Sequence, residues 1–118
     1  MDNILLDDKL TFKLADFGSA SSVKENQKIN YPNPIGTFKY MSPEKLAGTL
    51  HCPKQADLYA AGIILYMMVT GDFPFTENKK EDMIYDLFLN DIDFFWQIVE
   101  EENQFLSDEL KDLLTKML

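Results

Sequence analysis

The spacing of apolar positions changes along this chain, and each change marks a new element. Two short apolar runs, Asn3–Leu6 and Thr11–Ala15, flank the polar stretch Asp7-Asp8-Lys9, and Phe12 and Leu14 alternate with Thr11 and Lys13. A period of two is the strand period, so these runs predict a small β-hairpin with polar turn residues. From Asp16 to Pro43 no period is sustained. Serines follow Gly18, then Lys, Asn and Gln, then Pro32 and Pro34. This predicts a long loop, and long loops inside a domain are usually functional.

From Asp57 the pattern turns helical. Leu58, Ala61, Ile64, Leu65 and Met68 share one side, and the opposite side (Ala60, Ile63, Met67) is also apolar. A helix apolar all round belongs in the middle of a fold, so 57–70 is expected to be a central buried helix. Gly71 is placed to end it, with Pro74 just beyond. A second helix is expected from about Lys80 to Leu89, turning Met83, Ile84, Leu87 and Phe88 inward. A third starts after Ser107, a good N-cap, and carries Asp108 and Glu109 where the helix dipole favours them. Its apolar positions are Leu110, Leu113, Leu114, Met117 and Leu118.

Composition narrows the function classes. The 118 residues carry a net charge of −9, and every basic side chain is lysine. That is a poor match for nucleic acid, whose affinity comes from basic side chains neutralising phosphates. Residues 1–76 hold eight acidic and seven basic groups, whereas 77–112 hold twelve and three. The acidic half reads first as a solvated amphipathic face and second as a docking surface for a basic partner. The longest apolar stretch, Leu58 to Thr70, falls short of the roughly 20 residues a bilayer span needs. The start has an acidic flank and too short an apolar run for a signal peptide, so a soluble, cytoplasmic chain is expected. Cys52 is alone, which excludes an internal disulfide framework or a CxxC metal set.

Chemistry lies in the order of short motifs. Asn3 precedes the strands, and Asp16-Phe17-Gly18 follows them. The long loop ends in Gly36-Thr37-Phe38-Lys39-Tyr40-Met41-Ser42-Pro43-Glu44. Asp57-Leu58-Tyr59-Ala60-Ala61-Gly62 comes next, then Gly71-Asp72-Phe73-Pro74-Phe75. In this order they resemble the C-terminal lobe of a eukaryotic Ser/Thr protein kinase, from the catalytic-loop Asn to before the last helices. The resemblance covers essentially the whole chain, 1–118. It implies an α+β, mainly helical fold with a short hairpin, a long activation segment (16–44), a buried central helix and further helices.

The resemblance also assigns roles. Mg²⁺ takes hard oxygen ligands, few of them from the protein. Asn3 and Asp16 are then the metal ligands that hold Mg-ATP, Leu5 forms the floor of the adenine pocket, and Ala15 lies beside the nucleotide. Phe17 packs inward to set Asp16, and Gly18 lets the backbone swing. Thr37 supports catalysis through hydrogen bonds around the site and, with Tyr40-Met41, favours Ser/Thr over Tyr substrates. Gly36, Thr37, Phe38 and Met41 make the substrate-binding stretch, with Phe38 and Met41 lining an apolar pocket. Glu44 is structural, and Asp57 is the buried aspartate that bonds the catalytic loop. Ile64 and Met68 support the adenine-side column. Met67 stands where some basophilic kinases carry Glu. Asn33 occupies the usual position of the activating phosphate, while Ser19, Ser21, Ser22 and Tyr31 are hydroxyls a kinase could modify.

The departures are equally specific. The sequence has no Gly-rich phosphate loop, no strand Lys paired with a helix Glu and no His-Arg-Asp loop. Against the family pattern it is truncated at both ends, lacking the N-terminal lobe, the general-base Asp and the downstream Arg that pairs with Glu44. An unpaired buried carboxylate costs about 3–5 kcal/mol. The 118 residues alone are therefore expected to fold marginally and to transfer no phosphate. Three readings stand: a piece of a longer active kinase acting on protein Ser/Thr, with Met1 internal; a pseudokinase-like binding module acting through the 36–44 pocket and the acidic 77–112 region; and an inactive product of gene decay.

Overall fold

A computed structural model describes residues 2–25, 27–30, 35–76, 82–102 and 106–118. The alternating segments pair as expected. β1 (Ile4–Leu6) runs antiparallel to β2 (Phe12–Leu14), with Ile4 opposite Leu14, Leu5 opposite Lys13 and Leu6 opposite Phe12. The Asp7 carboxylate makes the turn, accepting from the backbone N–H of Lys9 and of Thr11, each at 2.9 Å. These hydrogen bonds, Thr11's foremost, hold the Asp7 carboxyl below its ordinary range.

The aperiodic stretch stays largely irregular. It closes with a 3-10 turn at Phe38–Tyr40 and a short helix α1 (Pro43–Leu46), and it is pinned where Ile29 and His51 exchange backbone hydrogen bonds of 2.9 and 3.0 Å. Asn33 and Tyr31 lie outside the described residues.

The long helix α2 spans Pro53–Thr70, four residues more than expected at its start. Pro53 explains the difference, since proline at N1 pre-sets the helical φ and its missing N–H is no loss there. Gly71 ends α2 as expected, with φ 86° and its N–H on the Met67 carbonyl at 2.9 Å. The expectation of burial all round is corrected. Ala56, Tyr59, Gly62, Ile63 and Tyr66 are buried on one face, while Leu58 is 50% exposed and Met68 and Val69 are also open.

The remaining helices are α3 (Met83–Asn90), α4 (Ile92–Glu102) and α5 (Asp108–Met117). The Asp82 carboxylate caps α3, accepting from Ile84 and Tyr85 N–H. Phe88 is buried and Leu87 half-buried against the core as expected, but Tyr85 is buried in place of Met83, which is 85% exposed, and Ile84 is also exposed. The predicted start near Lys80 lies outside the described residues. Helix α4 was not anticipated. Its Phe95, Trp96 and Val99 are buried, at the 3-and-4 spacing of an inward stripe. Ser107 caps α5 as predicted, accepting from Leu110 N–H.

Aromatic rings fill the centre. Phe95 is 1% exposed and stands 5.2 Å from Phe88 and 5.0 Å from Trp96, edge to face in both cases. Phe75, delivered by the turn after α2, meets Tyr85 at 5.0 Å and Phe88 at 5.3 Å. Trp96 Nε1 donates to Thr115 Oγ1 at 3.1 Å, and Lys111 bridges Glu100 and Asp108, tying α4 to α5. No helix among the described residues is long and apolar enough to cross a membrane.

Candidate nucleotide and substrate site

The hairpin sets the first part of the site. Its last rung is the Ala15 N–H donating to the Asn3 carbonyl at 2.9 Å, which holds Asn3 beside the Ala15–Asp16 peptide. Asp16 then takes φ 59°, and its Oδ1 accepts from Gly18 N–H at 3.3 Å. Left-handed backbone at a non-glycine residue is uncommon, and short polar side chains such as Asp are the ones that tolerate it. A carboxylate and an amide oxygen thus come from the two ends of one hairpin. Both side chains carry the oxygen donors a hard divalent cation takes, and both residues are exposed.

Asp16 faces a cleft of about 510 Å³ whose walls include Ser19, Lys45, His51 and Asp57. Asp16 and Asp57, forty-one positions apart in the chain, therefore share one cavity. Lys45 and His51 were not anticipated there. Lys45 directly follows the Pro43-Glu44 pair, and that proximity was the available signal. Asp57 is exposed, which corrects the expectation of a buried aspartate. It sits in the second turn of α2, and a carboxylate without donors stays in water because desolvating it is costly.

Two further placements differ from expectation. Phe17 is 68% exposed, and Leu5 is also open to solvent. Both belong to a hairpin region whose strands are themselves exposed, so no core lies beside them to bury against. Ala15 is half-buried.

The stretch 36–44 runs between Ile35 and Lys45, both of which line the Asp16 cleft. Thr37 is exposed, and its carbonyl accepts from Tyr40 N–H at 3.1 Å. Gly36 has φ 127°, and a Cβ there would come within 3.2 Å of Met41 Cε. Met41 is buried and Phe38 is exposed. Glu44 is half-buried, and its charge reaches the buried phenols of Tyr59 and Tyr85. The carboxylate of Glu44 forms no ion pair among the described residues. On α2, Ile64 is half-buried and Met68 exposed.

Comparison with known proteins decides the family. The family model described as protein kinase domain matches residues 1–118. The chain belongs to the protein kinase family. Among curated relatives of this kinase chain is developmentally-regulated protein kinase 1 of Dictyostelium discoideum, 37% identical over 99% of the chain and 15% of the relative. Carbon catabolite-derepressing protein kinase of Candida tropicalis is 32% identical over 99% of the chain and 17% of its own length. A probable cell cycle serine/threonine-protein kinase, CDC5 homolog, of Encephalitozoon cuniculi is 33% identical over 100% of the chain and 24% of its own length. The chain therefore spans less than a quarter of the length of these relatives. The mainly helical fold with one two-stranded sheet agrees with a kinase C-terminal lobe.

Proposed function

We propose that these residues form part of a Ser/Thr protein kinase domain that moves the γ-phosphate of ATP to protein Ser or Thr. What supports this reading is the Ala15-to-Asn3 backbone hydrogen bond of 2.9 Å, which holds Asn3 against the residue preceding Asp16 in a chain that belongs to the kinase family. Asn3 and Asp16 are the residues that hold Mg²⁺, with Leu5 and Ala15 beside the nucleotide. The metal, when bound, neutralises charge on the phosphates. The segment 16–44 acts as the activation segment: Gly36, Thr37, Phe38 and Met41 receive the protein substrate, with Thr37 orienting groups at the site. Phe17, Gly18, Glu44 and Asp57 support that arrangement.

Kinase catalysis is positioning and charge neutralisation, and a part of the apparatus gives little of the effect. The 118 residues contain no His-Arg-Asp motif and no Gly-rich phosphate loop. On their own they bind nucleotide weakly and transfer no phosphate. The test is incubation of the pure chain with γ-labelled ATP, Mg²⁺ and a generic Ser/Thr protein substrate. No label above background is expected. Metal-dependent turnover, lost on Asp16→Asn, overturns the claim that these residues are insufficient.

A further inference from the structure

A second cavity, of about 330 Å³, opens between the turn after α2 and helices α3 and α4. Its inner residues are the buried aromatics Tyr66, Phe75 and Phe95, and Leu87 and Val99 line its sides. Two exposed carboxylates also line it from separate elements, Asp72 from the turn and Glu102 from the last residue of α4. Neither forms an ion pair among the described residues. Lys39 shares the lining, but its ammonium is engaged 4.5 Å over the Phe73 ring. Both carboxylate charges act on the Tyr66 phenol, which burial above all, then Glu102 and Asp72, pushes up to about 12. With two carboxylates and one ammonium in its lining, this apolar interior keeps a net negative charge and suits a cation attached to an apolar group.

We infer that this cavity is a docking site for a protein partner that inserts one aromatic or leucine side chain flanked by lysine or arginine. The volume lies at the lower end of the range for ligand pockets and suits a single anchoring side chain. The two flanking cations meet Asp72 and Glu102, and the net charge of −9 favours a basic partner at longer range. The site is separate from the Asp16 cleft and does not rest on the phosphotransfer reading.

The test is a nitrogen-15 NMR titration of the 118-residue chain with a capped Arg-Phe-Arg tripeptide amide. Saturable amide shifts are expected at Thr76, Leu87 and Val99, and a capped Glu-Phe-Glu peptide should produce none. Asp72→Asn with Glu102→Gln should weaken binding about fivefold or more, since each exposed ion pair contributes a few tenths to one kcal/mol. Asparagine can keep the hydrogen bond that Asp72 Oδ1 accepts from Phe73 N–H at 2.7 Å. A measurement that needs no variant is the same titration in salt strong enough to cut the Debye length to about 3 Å, which should weaken binding similarly. Equal affinity for the acidic peptide, shifts centred elsewhere, or insensitivity to both charge removal and salt overturns the inference. So does concentration-dependent shifting of the same amides without peptide, which would make a second copy of the chain the occupant.

Discussion

Gly62 of α2 faces Met117 of α5 so closely that a Cβ on the glycine would stand 2.9 Å from Met117 Cβ and 3.1 Å from Leu118 Cδ2. Alanine at this position favours the helix by roughly 1 kcal/mol, but overpacking a tight contact costs about 1–3 kcal/mol. The contact dominates, because the opposing atom is the root of a side chain and cannot swing away. Gly62→Ala should therefore lower the urea midpoint and loosen α5, read as faster amide exchange over Asp108–Met117.

Phe95 and Phe17 separate core from surface. Phe95 is enclosed by Tyr66, Phe75, Phe88 and Trp96, so Phe95→Ala should cost about 3–5 kcal/mol. For a chain of this size that removes much of the total stability, and loss of the near-ultraviolet aromatic signal reports it. Phe17→Ala, at an exposed position, should change stability by no more than about 0.5 kcal/mol.

Tyr59 buries its hydroxyl without a hydrogen-bond partner among the described residues. Such a group costs about 1–3 kcal/mol in desolvation. Tyr59→Phe should accordingly leave the urea midpoint unchanged or raise it.

Alkaline pH should act through the same phenols. The Tyr66 hydroxyl is raised from 10.0 to about 12, and burial also raises Tyr59 and Tyr85. The folded state thus favours the protonated phenol over the unfolded chain. That stabilisation is fully present below pH 10, and it diminishes as pH rises from 10 through 12. Urea midpoints measured across this window should fall, and Tyr66→Phe should shrink the fall.

Much of the architecture was legible because it rests on local rules. The hairpin follows from the alternation of Phe12 and Leu14, the end of α2 from Gly71, and the start of α5 from Ser107. Helix α4 was as legible in principle, since Ile92, Phe95, Trp96 and Val99 keep helical spacing, yet acidic residues crowd the same stretch and masked the stripe. Which side of an element faces inward was less legible. Helix α2 is apolar all round, so no periodicity selects Tyr59, Ile63 and Tyr66 over Leu58 and Met68, and only packing against α5 and the aromatic centre decides. Met83 and Tyr85 exchanged roles for a similar reason, once the Asp82 cap fixed the phase of α3. At the site, motif order singles out Asn3 and Asp16 as the proposed ligands, and the hairpin sets Asn3 beside Ala15, the residue before Asp16. The exposure of Asp57 and Phe17 was not legible, because burial depends on what else packs beside a residue.

The most direct measurement on the Asn3–Asp16 assignment is paramagnetic broadening of the amide spectrum by Mn²⁺-ATP, a stand-in for Mg²⁺-ATP. The account predicts selective broadening at Asn3, Ala15 and Asp16, reversed by excess Mg²⁺ and abolished in Asp16→Asn. Broadening spread over the acidic residues of α3 to α5, unchanged by that substitution, would contradict it.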